Sequence, residues 1–159
     1  MNAAVLTVSD RVSRGEAADT SGDELERGLR ADGFAVDRRV VPDEAVQIAG
    51  AIEELAANAA VVLTTGGTGV APRDVTPEAT RSVVEREVPG IAEALRADAA
   101  SKTPHGLLSR GTAGILGRTL VVNLPGSPGG ARDGYALLRT ALPHALALVA
   151  GEPTEHEQT

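Results

Sequence analysis

Three short runs of this chain are apolar at almost every position: Ala3-Ala4-Val5-Leu6-Thr7-Val8, Ala59-Ala60-Val61-Val62-Leu63-Thr64 and Leu120-Val121-Val122-Asn123-Leu124. A strand with one face in water alternates apolar and polar residues. A run without that alternation reads as a strand buried on both faces, as in a parallel sheet covered by helices. A fourth run, Phe34 to Val41, carries Val at 36, 40 and 41 and reads as a further strand.

The segments between these runs have helical patterns. Ser21-Gly22-Asp23-Glu24 has the form of a capping box, with Ser at the N-cap and Glu at N3, and predicts a helix running toward Gly33. Ala45, Ile48, Ala49, Ile52, Leu55 and Ala56 make an apolar stripe at helical spacing. Thr76-Pro77-Glu78 reads as an N-cap, a first-turn proline and a first-turn acid. Pro89-Gly90 restarts a helix that carries Ile91, Ala94 and Leu95. Tyr135, Leu138, Leu142 and Leu146 share a face of a last helix, which Pro143 is expected to kink or split. Strands alternating with helices imply an α/β fold of right-handed βαβ units. With no internal repeat and no linker, residues 1–150 read as one domain and 151–159 as a polar, fraying tail.

Composition narrows the function. Acidic residues number 22 against 15 basic ones, a net charge of −7, which disfavours a nucleic-acid partner. One Phe, one Tyr and no Trp leave no aromatic platform for stacking bases. With no cysteine, thiolate catalysis, disulfides and zinc–cysteine sites are excluded. Met1-Asn2 leads directly into a strand-like run without a basic n-region, and no apolar stretch has membrane-spanning length. A cytoplasmic protein without a membrane partner is the expectation.

In open α/β sheets, ligands bind beyond the carboxyl ends of the strands. The strongest candidate there is Thr64-Thr65-Gly66-Gly67-Thr68-Gly69-Val70-Ala71-Pro72-Arg73-Asp74. Glycines allow positive φ and close backbone approach, and consecutive N–H groups in such a turn form an anion-binding concavity. Thr65 and Thr68 add hydroxyls, and Arg73 offers a fork for phosphate. No Gly-Lys-Ser/Thr follows, so this is not a Walker loop, nor does it match the dinucleotide fingerprint. The competing reading is a tight strand-to-helix connection.

A second loop, Asn123-Leu124-Pro125-Gly126-Ser127-Pro128-Gly129-Gly130, also follows a buried strand, and Ser127 can cap the next helix. Asp43 and Asp74 each follow a strand end and form a carboxylate pair suited to Mg²⁺ between phosphate oxygens. A helix N-cap for Asp43 and an Asx-turn for Asp74 are the plainer alternatives. Ser9 and Asp10 follow the first strand. Ser109 precedes Arg110 as a ligand contact or a capping hydroxyl. His105, His144 and His156 do not cluster and read as surface residues, and Arg38-Arg39 as a solvated strand end.

Thr65-Gly66-Gly67-Thr68-Gly69 with Arg73-Asp74-Val75-Thr76-Pro77-Glu78 closely resembles the central motif of the molybdopterin-binding family. Val8-Ser9-Asp10-Arg11, Asp19 through Gly22, Val41-Pro42-Asp43, Pro89-Gly90, Leu108-Ser109-Arg110 with Ala113-Gly114, and Asn123-Leu124-Pro125-Gly126-Ser127 resemble further family motifs, in the family's order. The resemblance covers about residues 5 to 150. It implies a three-layer α/β/α sandwich with a mostly parallel sheet, usually trimeric. It also implies transfer of AMP from Mg-ATP to the terminal phosphate of molybdopterin, with a metal-insertion enzyme downstream. Asp43 and Asp74 then resemble the acidic pair that positions Mg²⁺ and the reacting phosphates. Thr65 to Gly69 resemble the phosphate cradle, Ser109 a pterin contact, and Asn123 with Pro125, Gly126 and Ser127 the opposite wall. A molybdopterin-binding relative without transferase activity and a nucleotide-cleaving hydrolase are the alternatives. One departure is the glycine-rich Pro128-Gly129-Gly130, which suggests a later helix start.

Overall fold

The computed structural model describes residues 1–153, so the outer part of the tail, with His156, lies outside the described residues. The three apolar runs form β1 (Asn2–Val8), β3 (Val61–Thr65) and β6 (Thr119–Leu124), and the fourth run forms β2 (Ala35–Val41). All four are parallel, in the order β2-β1-β3-β6. Two short strands extend the sheet beyond β6. They are β5 (Ala113–Leu116), antiparallel to β6, and β4 (Arg86–Glu87), antiparallel to β5. The six-stranded sheet is therefore mixed, with a parallel heart and an antiparallel edge.

Alternate residues of the central strands feed two separate cores, which is why their sequences do not alternate in polarity. Ala3, Val5, Val61, Leu63, Leu120, Val122 and Leu124 point to one face. There they meet α2 (Thr20–Ala31), α5 (Pro89–Lys102), α6 (Pro128–Leu138) and α7 (Leu142–Ala150) through Leu25, Leu29, Leu95, Tyr135, Leu138 and Leu146. Ala4, Leu6, Val8, Val62 and Val121 point to the other. They meet α3 (Ala45–Ala56) and α4 (Thr76–Val83) through Ile48, Ile52, Leu55 and Ala79. The result is the expected three-layer α/β/α sandwich. Each fully buried Leu, Ile or Val stabilises it by about 1.5–3 kcal/mol.

Several local expectations are corrected. The N-cap of α2 is Asp19, not Ser21: its carboxylate accepts the Gly22 N–H at 3.1 Å, and Ser21 is buried inside the first turn. Val75 occupies the N-cap of α4, and the Thr76 hydroxyl instead donates to the Gly66 carbonyl at 2.9 Å. Glu44, not Asp43, precedes α3 as its cap residue. Arg38 is not a solvated strand end. It is half-buried among the carboxylates of Asp19, Asp23 and Glu26, which push its pKa up despite desolvation. The last helix is split into α6 and α7, with Pro143 in the first turn of α7, where a missing N–H costs nothing. Nor does α6 start late: Pro128 opens it, and the Ser127 hydroxyl accepts the Gly130 N–H at 3.1 Å.

Candidate functional site at the carboxyl edge of the sheet

Because β1, β2, β3 and β6 are parallel, the segments that follow them emerge at one edge. β5 runs the other way, so the segment before it, Ser109 to Gly111, arrives at that edge too. The candidate residues gathered there are Ser9 and Asp10, Asp43, the loop from Thr65 to Asp74, Ser109, and the Pro125–Ser127 turn.

The glycine loop is shaped by close approach. Gly66 and Gly67 have φ of 99° and 67°. A Cβ at Gly66 would overlap the Val8 carbonyl oxygen, and one at Gly67 would overlap the Thr76 hydroxyl. Both carboxylates of the pair lie against this loop. A Cβ at Gly67 would sit 3.1 Å from Asp43 Oδ1, and one at Gly69 would sit 2.8 Å from Asp74 Oδ2. Asp74 Oδ2 also accepts the Ala71 N–H at 3.0 Å, closing a small turn.

Asp43 is locked to Asp10 by a reciprocal pair of hydrogen bonds. The Asp10 N–H donates to Asp43 Oδ2 at 2.9 Å, and the Asp43 N–H donates to Asp10 Oδ1 at 3.0 Å. Desolvation is the main cause that raises the Asp43 pKa, and the charges of Asp10 and Asp74 add to it. Asp10 is lowered, chiefly by Arg73, whose guanidinium forks onto its two oxygens at 2.8 and 3.0 Å. Arg73 thus stands at the site, but its phosphate-type fork is occupied by Asp10, with Glu44 3.6 Å away.

Four polar residues expected in the site are engaged in building it. The Thr65 hydroxyl is fully buried and donates to the Pro125 carbonyl at 2.7 Å, tying the two loops together. Asn123 is 4% exposed; its amide donates to the hydroxyls of Thr64 and Thr80, both at 2.9 Å, and its carbonyl accepts the Thr112 N–H at 3.1 Å. Its amide is spent on these bonds, while the residue itself lines the hollow between α5 and α6. The Ser9 hydroxyl accepts the Val12 N–H at 3.2 Å and caps α1 (Asp10–Ser13). Ser109 Oγ accepts the Gly111 N–H at 3.3 Å, and Thr68 is nearly buried.

The Pro125–Ser127 turn separates two hollows. One, of about 160 Å³, lies between α5 and α6 and is lined by Arg96, Lys102, Ser109, Ser127 and Asp133. The other, of about 220 Å³, is lined by Ser9, Asp19, Thr65, Gly66 and Gly126. Each is below the roughly 300–1,000 Å³ of a complete ligand pocket, so each suits part of a substrate rather than the whole. The carboxylate pair lines neither and sits on the open rim by the glycine loop.

The carboxylates fit a divalent cation of the Mg²⁺ type. Such an ion takes one or two carboxylates and completes its shell with substrate phosphates and water. Among the described residues no three acidic or histidine side chains converge into a self-contained cage, so a cation here would need that shared mode. His105, in a short 3-10 helix (Pro104–Leu108), and His144 on α7 are exposed and lie on separate elements.

Two arginines carry structural roles that sequence reasoning missed. Arg96 on α5 donates to the Gly111 carbonyl at 2.7 Å and the Ser109 carbonyl at 3.5 Å. Arg110 donates to the carbonyls of Gly69 and Asp74, both at 2.7 Å, and pairs with Glu78. Arg96 has no sequence signal, since it sits in an ordinary helix. Arg110 lies inside a motif, but its partners are about 30 to 40 residues away.

Residues 4–144 match the family model described as "Probable molybdopterin binding domain". The chain is 38% identical over 161 residues to gephyrin of Dictyostelium discoideum, covering 94% of this chain but only 22% of that protein. It is 38% identical over 164 residues to molybdopterin adenylyltransferase of Haemophilus influenzae, covering 92% of this chain and 83% of that one. Its fold superposes on the molybdopterin biosynthesis enzyme MoaB of Thermus thermophilus with a TM-score of 0.86 at 47% identity, covering 96% and 98% of the two chains. No helix among the described residues is long and apolar enough to cross a membrane. Fold and kinship agree: the chain belongs to the Mog/MoaB-type molybdopterin-binding family.

Proposed function

We propose that this chain is a molybdopterin adenylyltransferase of molybdenum-cofactor biosynthesis, moving AMP from ATP to the terminal phosphate of molybdopterin. The observation that carries the reading is the position of Asp43 and Asp74 against the backbone of one glycine loop. Binding an anion alone gives no reason to crowd carboxylates beside its cradle. Holding a cation between phosphates does, and a cation would relieve the raised pKa of Asp43. The relative from Haemophilus influenzae named for this activity is matched over 83% of its length.

In this reading an oxygen of the molybdopterin phosphate attacks the α-phosphorus of ATP. The bond from that phosphorus to the bridging oxygen breaks, and pyrophosphate leaves with the electron pair. No protein nucleophile is needed; alignment and charge neutralisation supply the rate. Asp43 and Asp74 would hold Mg²⁺, which when bound offsets phosphate charge. Backbone N–H groups of residues 67–69 cradle the phosphates, the Gly66 N–H being spent on the Leu124 carbonyl. Arg73 exchanges Asp10 for an incoming phosphate, a trade of one charge-assisted fork for another. The hollow lined by Ser109 and Ser127 takes the pterin ring.

The test is incubation of the pure protein with molybdopterin, Mg²⁺ and α-labelled ATP. Label on the pterin that is lost with Asp74→Asn is the expected result. Pterin that binds but stays unlabelled would overturn the transferase reading in favour of a binding relative.

A further inference from the structure

We infer that Arg110 is a positioning residue for the Asp74 carboxylate, holding the outer half of the glycine loop in working shape. This rests on the adenylyltransferase reading and adds to it a residue from the opposite side of the cleft.

The loop has two halves with different anchors. Gly66 and Gly67 are fixed by Thr76, whose hydroxyl donates to the Gly66 carbonyl and whose N–H donates to the Gly67 carbonyl at 3.1 Å. Residues 68–74 have no such neighbour in sequence. Among the described residues, their hydrogen bonds to the rest of the protein run through Arg110 and, at the exposed end, through Arg73. The Arg110 N–H donates to the Thr68 carbonyl at 2.8 Å, and its guanidinium bridges the carbonyls of Gly69 and Asp74. One residue therefore spans the loop from its start to the residue that carries the acid.

Arg110 is itself held on both sides. Glu78, from the first turn of α4, pairs with the guanidinium. Arg96 grips the carbonyls of Ser109 and Gly111, which flank it in the chain. Tripeptide 109–111 is thus a strut between the Ser109 hollow and the glycine loop. A planar fork suits this role, since it meets two carbonyls and a carboxylate at fixed angles, which a lysine ammonium cannot. Freed of it, the loop would keep its turn at 71–74 but lose its register against Asp43.

The experiment compares Arg110→Ala, Arg110→Lys and Glu78→Gln with the unaltered protein, in full-length form. Turnover is measured with ATP and molybdopterin, and Mn²⁺ binding in the presence of ATP is titrated by electron paramagnetic resonance. Arg110→Ala is expected to lower kcat about tenfold or more. It should also weaken Mn²⁺ binding about fivefold, because one of the two carboxylates is misplaced. KM for molybdopterin should change by less than about threefold, since Arg96 still holds the Ser109 wall. Arg110→Lys should recover part of the loss, and Glu78→Gln should lose far less than Arg110→Ala. A merely structural arginine would instead lower Tm and leave kcat and Mn²⁺ binding of the folded fraction at the unaltered values; that outcome overturns the inference. Unaltered protein that binds Mn²⁺ with ATP but transfers no AMP would refute the transferase reading alone, and the Mn²⁺ comparison would still decide the role of Arg110. Unaltered protein that binds no Mn²⁺ with ATP would refute both.

Discussion

Asp43 is costly to keep ionised where it stands, desolvated and beside Asp10 and Asp74. A carboxyl whose folded pKa is raised binds protons better folded than unfolded. Its cost to stability is absent below the ordinary carboxylate pKa, grows as pH rises toward the raised value, and is full above it. Asp43→Asn removes the charge while its amide oxygen can still accept the Asp10 N–H. It should therefore abolish AMP transfer, by about a hundredfold or more, while leaving Tm at pH 7.5 unchanged or higher. The Tm gain over the unaltered protein should shrink as pH is lowered to the ordinary carboxylate range, as calorimetry at several pH values would show. An Asp43→Asn protein with full turnover would remove Asp43 from the site. Gly66 makes the opposite kind of demand. Its φ of 99° and its contact with the Val8 carbonyl leave no room for a Cβ. Gly66→Ala should destabilise by about 2 kcal/mol or more, read by urea unfolding, and distort the cradle.

At the scale of elements, α2 shows how one side chain can serve several neighbours. Asp19 caps the helix, accepts the Thr7 hydroxyl at 2.9 Å and pairs with Arg38 from β2. This joins β1, β2 and α2 at the edge where the hollow beside Ser9 opens. Asp19→Ala should cost about 1–3 kcal/mol, more than a plain cap, because Arg38 and Thr7 lose a partner with it. Comparable m-values for the two proteins would show that the change lies in stability and not in the unfolded state.

For the whole molecule, the expectation of a trimer comes from the family resemblance. Val70, Leu107 and Leu108 are 65%, 74% and 50% exposed on the single chain. Sedimentation equilibrium at micromolar concentration should give a mass three times that of the chain, and Tm should rise with protein concentration as mass action requires. A monomer mass at all concentrations would overturn the expectation.

The sequence by itself determined the parallel heart of the sheet, its two covered faces and the edge where the loops collect. Continuous apolar runs admit no half-exposed strand, and glycine directly after such a run marks a close backbone approach. The acidic pair was legible as residues that follow strand ends. Tertiary structure decided the rest. β4 is two exposed charged residues and β5 is four residues with a glycine, too short for any period to register. Arg73 and Asp10 lie 63 positions apart, so nothing local could say that the phosphate fork already holds a carboxylate. Asn123 lines one hollow, and only the fold could show that its amide is spent on Thr64 and Thr80. Arg110 gained its role only when the antiparallel edge carried it back beside the glycine loop, since hydrogen-bond partners follow topology and not spacing along the chain.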